Sequence, residues 1–359
     1  MRFDGRSGSA RTHARTLPEA LSRCLVRRRG GCLSVFRRWA LAGVLMLLAA
    51  CQPVEPLPLK VGMNPWVGYD PLVLARDRLL MDGERVKVVE LSSSSETLRN
   101  FRNQLLDAAA LTLDEALRLA DEGMDVRIVA VLSASAGADM VMAGPSVAEP
   151  RQLRGKAIAV ESTTVGALML QRLLQVAHLQ PGDVRVRNME ASQHLAALRS
   201  GQVDAVVTYE PLAGAMRTEG FRPIFDSRRM PGDIVDVLVV RGELLQSRPA
   251  QVEALVAGWQ RGLLALLQDP RAAAGLLAPG AGLSADDYLA TLEGLSFFSA
   301  QQSLDLLSGQ PLRLAQEAEG LVATLQHLGL IRERPDWSHL LADAPGRRAL
   351  LPSSQGPQP

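Results

Sequence analysis

Leu59-Lys60-Val61-Gly62-Met63, then Asn64-Pro65-Trp66-Val67-Gly68-Tyr69, then Asp70-Pro71-Leu72-Val73-Leu74 is the stretch on which the fold turns. The first five residues form a short apolar run suited to a strand. Asp70-Pro71 opens a helix through Leu80, with an acid at the N-cap and proline at the first helical position, where no N–H is needed. Strand, loop and helix in this order make an α/β unit, and the pattern continues. Val86–Leu91 alternates as a strand, and Ser93-x-x-Glu96 is a capping box. Asp107–Leu111 is a short buried strand, and Thr112-x-x-Glu115 a second capping box. Leu113, Ala116, Leu117 and Ala120 then carry the helical period. Val126–Leu132 and Met140–Ala143 read as two further strands.

A second segment repeats the theme. Ala157–Val160, Val184–Val186 and Asp204–Tyr209 read as strands, and Thr164–Ala177 and Ser192–Arg199 as helices. Glu210-Pro211 opens another helix, which ends near Gly220. Ile234–Val240 is a β-branched strand, after which Pro249–Leu267, Ala285–Leu295 and Leu312–Leu328 have helical spacing. The alternation predicts an α/β fold with parallel sheets. From Ala344 to Pro359 the composition turns to Pro, Gly, Ser and Gln and predicts disorder.

The chain has 359 residues, 47% hydrophobic and 21% charged, enough for about two domains. Residues 1–50 carry ten Arg against one Asp and one Glu, so the rest, within an overall net charge of +1, is acidic by seven charges. An acidic body argues against a nucleic-acid partner, which needs a basic face. The basic end has its own reading. Arg37-Arg38, an apolar run from Trp39 to Ala50 and Leu48-Ala49-Ala50-Cys51 have the layout of a secretory signal, too short to span a bilayer. The last four residues resemble the lipobox of bacterial lipoproteins. That resemblance implies a leader over 1–50, lipidation of Cys51 as the mature N-terminus and an extended tether over 51–58. Residues 1–34 fit neither leader nor domain and point to a translation start nearer Val35. All three cysteines lie at or before Cys51, so the body has no disulfide, thiolate metal site or cysteine nucleophile.

In open α/β sheets ligands sit beyond the carboxyl ends of the strands, where helix N-termini converge. Those ends are Asn64–Tyr69, Ser92–Ser95, Thr112–Glu115, Glu161–Thr164 and Tyr209-Glu210. They supply the candidate ligand-binding residues Trp66, Tyr69, Ser93, Thr112 and Asp114 on one side. Glu161, Thr163, Tyr209 and Glu210 face them, and Asp236 on the return strand is a further candidate. Trp66 and Tyr69 are placed to stack on a flat ligand. Ser93, Thr112, Asp70 and Glu115 serve equally well as helix caps, Trp66 as packing, and Glu161, Glu210 and Asp236 as ion-paired structural carboxylates. The loops hold no Arg or Lys, and their excess of carboxylates, with Asp139 and Asp236 as further candidates, favours a neutral or cationic nitrogenous ligand over an anion. Helix N-termini can still bind anions without a cation.

Asn64-Pro65-Trp66-Val67-Gly68-Tyr69, Leu111-Thr112-Leu113-Asp114-Glu115-Ala116-Leu117, Gly155-Lys156-Ala157-Ile158-Ala159-Val160-Glu161 and Val207-Thr208-Tyr209-Glu210-Pro211 resemble solute-binding proteins of ABC importers. The group they are most similar to is the nitrate/sulfonate/taurine and thiamine-precursor type. The resemblance runs from about Leu59 to Leu330. It implies a two-lobed periplasmic-binding-protein fold of type II character, with two parallel-sheet lobes joined by a two-strand hinge. Lobe one would be 59–143 plus 241–343, lobe two 144–233 and the return hinge strand 234–240, with crossings near Ala143–Ser146 and Ile234–Val237. It also implies a small polar ligand bound by hinge closure, an ABC permease and its ATPase as partners, a monomer, and a lipid-anchored place on the periplasmic side of a bacterial membrane. No cofactor or metal is expected. A ligand-sensing receptor is the alternative. A thiamine-pyrimidine-synthesis-like enzyme is disfavoured, because the family's cysteine-rich motif is missing and His178, His194, His327 and His339 have no metal spacing.

Overall fold

The computed structural model describes residues 57–350; the leader, Cys51 and most of the tether lie outside that range, as do residues 351–359. In chain order the first half comprises β1 (Leu59–Met63), α1 (Asp70–Asp77), β2 (Val86–Glu90), α2 (Ser94–Arg102), β3 (Ala108–Thr112), α3 (Leu113–Asp121), β4 (Val126–Ser135), β5 (Asp139–Ala143), β6 (Ala157–Val160) and α4 (Thr164–Ala177). Then follow β7 (Arg185–Asn188), α5 (His194–Arg199), β8 (Ala205–Tyr209), α6 (Leu212–Thr218), β9 (Arg222–Asp226), β10 (Val235–Arg241), α7 (Leu244–Ser247), α8 (Pro249–Gln268), α9 (Pro270–Ala281), α10 (Ala285–Leu292) and β11 (Leu295–Phe297). Short helices complete the described chain, the last over Ala344–Leu350. Disorder is expected over 344–359; over Ala344–Leu350 the chain is instead a helix with Pro345 and Gly346 buried, and the remainder of that expectation lies outside the described residues.

The strands form two sheets, in the orders β11-β4-β10-β3-β1-β2 and β7-β6-β8-β5-β9. Within each, the strands joined by helical crossovers are parallel: β2, β1 and β3 in one, β7, β6 and β8 in the other. The sheets are nonetheless mixed and not wholly parallel. β10 runs antiparallel to β3 and β4, and β5 antiparallel to β8 and β9, because each enters its sheet from the other one. Such a strand arrives at the opposite end from one that returns through a helix.

The strand Asp139–Ala143, expected in lobe one, therefore belongs to the second sheet. The chain crosses between Ser135 and Asp139 and returns between Asp226 and Val235, earlier at both places than Ala143–Ser146 and Ile234–Val237. β9 and β11 escaped the sequence reading. β9 is an edge strand whose Arg222-Pro223 breaks the apolar run, and proline is tolerated only at such an edge. β11 has three residues.

The two crossings are tied together. Ser135 and Ser227 share a hydroxyl hydrogen bond of 2.8 Å, and Gly137 N donates to Ser227 Oγ at 2.7 Å. Gly137 has φ of 127°, a conformation that glycine adopts without strain. Behind the first sheet, α8 lies against α1 so closely that a Cβ on Gly262 would stand 1.9 Å from the Pro71 carbonyl oxygen.

Candidate functional site

In both sheets the strand order reverses beside the first strand, β1 between β2 and β3, and β6 between β7 and β8. The carboxyl ends of β1 and β3 carry Trp66, Tyr69, Thr112 and Asp114; those of β6 and β8 carry Glu161, Thr163, Tyr209 and Glu210. Register adds further groups. Asp236 lies opposite Thr112 on β3 and Ser133 on β4, and Asp139 lies opposite Tyr209 on β8. Same-row residues on neighbouring strands project from one face.

The structure brings most of the predicted residues into one buried neighbourhood. Asp236 is its best-connected member. Trp66 Nε1 donates to it at 2.9 Å, Tyr69 OH at 3.1 Å and Ser133 Oγ at 2.6 Å. The Trp66 ring meets Tyr209 edge to face, with centroids 5.8 Å apart. Trp66 and Tyr69 are only 4% and 2% exposed, so they form a fixed wall here and not two open stacking faces. Ser93 and Thr163 cap α2 and α4, accepting from Glu96 N at 3.2 Å and Gly166 N at 3.1 Å. Glu210 is engaged within its own lobe, by an ion pair with Arg217 and by Gly214 N at 3.1 Å. Asp70 stands in the first turn of α1 and accepts from Tyr288 OH.

Four functional candidates were not singled out from sequence as site residues: Ser95, Glu115, Glu190 and Ser133. Glu115 accepts from Ser94 Oγ at 2.6 Å and from Thr112 N at 3.2 Å, so the expected capping residue is also part of the cluster. Glu161 accepts from Ser95 N at 2.7 Å and Ser95 Oγ at 2.6 Å, and Glu190 lies 2.7 Å from the same hydroxyl. These bonds run from the first sheet's α2 to the second sheet's loops, across the cleft.

Burial shapes the electrostatics. Desolvation pushes Glu115 and Asp139 up to about 7 and Asp236 to about 6, the last against three hydrogen bonds that favour its charge. Desolvation, reinforced by Glu115 and Asp139, drives Asp114 well above the carboxylate range, and Glu161 is raised chiefly by burial. Both oxygens of Asp114, fully buried, have no hydrogen-bond partner among the described residues; nor do Asp139 Oδ2, Thr112 Oγ1, Thr208 Oγ1 and Tyr209 OH. Among the described residues no Lys or Arg donates to Asp114, Glu115, Asp139, Glu161 or Asp236. Buried His194 donates from Nε2 to Met189 O at 3.2 Å and is pushed down to about 4 by burial, so it is neutral. Among the described residues no cluster of His, Cys, Asp and Glu has metal-binding geometry, and no helix is long and apolar enough to cross a membrane. A groove of about 560 Å³ between the end of α3 and residues 331–340 contains none of the predicted site residues.

Comparison with known proteins agrees with this architecture. Residues 52–275 match the NMT1-like family, and the chain belongs to that family. It is 23% identical over 138 residues to the taurine-binding periplasmic protein of Escherichia coli K12, covering 38% of this chain and 43% of that one. It is 21% identical to a Brachyspira hyodysenteriae protein described as an ABC transporter periplasmic binding protein, covering 65% of this chain and 74% of that one. The match to the taurine-binding protein thus spans less than half of that relative's length. The fold is that of the alkanesulfonate-binding protein of Xanthomonas axonopodis pv. citri, solved with MOPS, at a TM-score of 0.65 and 20% identity over 82% of this chain and 98% of that one. The desulfurization enzyme DszB shares it too, at a TM-score of 0.60 and 19% identity over 82% of this chain and 99% of that one.

Proposed function

We propose that this NMT1-like family member is the extracytoplasmic binding component of an ABC importer. It captures a small polar solute between its two sheets and presents it to a membrane permease and its ATPase. The observation that carries this reading is the facing of two strand-order reversals, bridged by Ser95 and Glu161 at 2.6–2.7 Å, between two sheets that the chain connects through the crossings at Ser135–Asp139 and Asp226–Val235. Relatives named as periplasmic binding proteins support it. The sequence Leu48-Ala49-Ala50-Cys51 behind an apolar run supports lipid anchoring through Cys51 on the periplasmic side, and the body is read as a monomer.

Binding favours closure only through contacts made to both lobes at once. Trp66, Tyr69, Thr112 and Asp114 on one side, with Thr163, Tyr209 and Asp139 on the other, meet that requirement. The crossings at Ser135–Asp139 and Asp226–Val235 carry the rotation, the kind of hinge closure for which periplasmic binding proteins are a standing example. We read the chain as a binder although the fold also hosts an enzyme. The serine hydroxyls beside its buried carboxylates are taken up in hydrogen bonds to them, buried His194 bonds the backbone of Met189, and no cysteine follows Cys51.

The test is the melting temperature of the full chain against sulfonates, nitrate, pyrimidines, polyamines, amino acids and a low-molecular-weight bacterial extract. A ligand at 100 times its Kd adds about 2.7 kcal/mol of stability. A saturable rise with one class or with the extract is expected; no rise with any of them contradicts the reading.

A further inference from the structure

The N-terminus of α2 already holds a carboxylate. Ser95, in the helix's first turn, donates its backbone N–H to Glu161 Oε1 at 2.7 Å and its hydroxyl to the same oxygen at 2.6 Å. Helix N-termini attract anions because their first N–H groups lack partners and the helix dipole is positive there. In this nine-residue helix a side chain from the opposite lobe fills that position. The neighbouring helix ends are also satisfied: Glu115 accepts from Thr112 N at the start of α3, and Thr163 Oγ1 from Gly166 N at the start of α4. A free anion would have to displace Glu161 and then share the cleft with Asp114, Glu115, Asp139 and Asp236.

Hydrogen-bond acceptors, meanwhile, are in surplus. Asp236 receives three side-chain hydrogen bonds, and Glu161 and Glu115 two each. Asp114 receives none at either oxygen although it is fully buried, and Asp139 Oδ2 is likewise without a donor. A buried carboxylate without a donor is costly, and what it lacks is an N–H group, best of all a charged one. The charged or titratable groups that act on Asp114 are Glu115 and Asp139; Asp139 in turn feels Asp236, and Tyr209 stands among them.

We propose that the cleft takes a cationic ligand with several N–H donors, an ammonium or amidinium, seated on Asp114, and that Glu161 excludes anions by occupying the N-terminus of α2. The proposal rests on the reading of the chain as a binding protein and assigns the ligand class and two specificity-determining residues within it.

Isothermal titration of the full chain with putrescine, spermidine, agmatine and benzamidine, against methanesulfonate and nitrate, tests it. At least one amine or amidine is expected to bind while the two anions give no heat. Asp114→Asn should weaken that binding at least tenfold. Glu161→Gln should bring methanesulfonate binding into the measurable range; if that variant does not fold, Ser95→Ala, which removes one of the two bonds holding Glu161, should do so instead. Methanesulfonate or nitrate binding to the unsubstituted chain overturns the proposal, as does unchanged amine affinity in Asp114→Asn or no gain of anion binding on release of Glu161. If no probe binds, the ligand class falls. A melting-temperature rise with the bacterial extract would then leave the binding-protein reading standing, and silence there too would remove both.

Discussion

The indole N–H of Trp66 donates to Asp236 Oδ2 at 2.9 Å, fastening the loop after β1 to a strand 170 positions further along the chain. Asp236 also holds Tyr69 and Ser133, so one carboxylate sets the position of two aromatic walls. Asp236→Ala leaves three buried donors without an acceptor. At about 1–3 kcal/mol for each such group, the loss should be roughly 3 kcal/mol or more, read as a fall in melting temperature. Trp66→Phe keeps an aromatic ring but removes the indole N–H and the pyrrole half of a buried side chain, and should cost about 1–3 kcal/mol for the hydrogen bond with a cavity cost added. A melting temperature unchanged in Asp236→Ala would show that these bonds do not hold the loop.

The pH dependence of the unliganded protein has an unusual sign. Asp70, Glu115 and Asp139 are pushed by burial to about 7 and Asp236 to about 6, from unperturbed values of 3.8 for Asp and 4.5 for Glu. Through that window the folded chain binds more protons than the unfolded one, so stability falls as pH rises. Melting temperature at pH 5.5 should exceed that at pH 7.5 by a few degrees, since about 1 kcal/mol moves it by about 2–4 °C in a chain of this size. Below pH 4 the trend reverses. Hydrogen bonds and Arg partners hold Glu96, Asp121, Glu122 and Asp226 low, and their contribution is lost on protonation. A melting temperature that is flat or rises from pH 5.5 to 7.5 contradicts this account.

Asp114→Asn separates stability from function. Without a donor at either oxygen, Asp114 adds repulsion and desolvation to the unliganded fold. The amide removes the ionisable group at similar volume, so melting temperature at pH 7.5 should rise, by an amount corresponding to about 1 kcal/mol or more. Calorimetry showing a destabilised variant would mean that Asp114 has a partner in the folded protein.

Gly262→Ala tests the packing behind the first sheet. The new methyl would fall 1.9 Å from the Pro71 carbonyl oxygen, a backbone atom that cannot rotate away. Separating α8 from α1 should cost about 1–3 kcal/mol. Gly275→Ala on α9, where a Cβ meets nothing within 4 Å, is the control and should be neutral or slightly stabilising.

Much of this was legible in the sequence because it is local. β1 and β6 have the bounds that their apolar runs give, Leu59–Met63 and Ala157–Val160, and Ser93 and Thr163 cap the helices they precede. The strand-end rule picked out Trp66, Tyr69 and Asp114 from position alone, and the fold buries all three. What escaped is what lies between distant segments. Asp139–Ala143 reads as a strand, but nothing in five residues says which sheet will accept it. Ser95 meets Glu161 across 66 positions, a relation with no period to detect. Glu115 had every mark of a cap and is one, so its second place in the acidic cluster was hidden. Glu210 looked available because Arg217, which neutralises it, sits seven residues away within a helix.

The most direct test of the central claim is the distance between the two sheets with and without ligand. β2 and β7 are the edge strands farthest in order from the crossings, and Lys87 and Arg187 on them are exposed. Spin labels at Lys87→Cys and Arg187→Cys, in the full chain with Cys24, Cys32 and Cys51 replaced by serine, report that distance by pulsed electron paramagnetic resonance. The account predicts a distribution that shifts to one shorter, narrower distance on saturation with a binding amine or with the bacterial extract. A distance that stays fixed while a ligand is bound would contradict it.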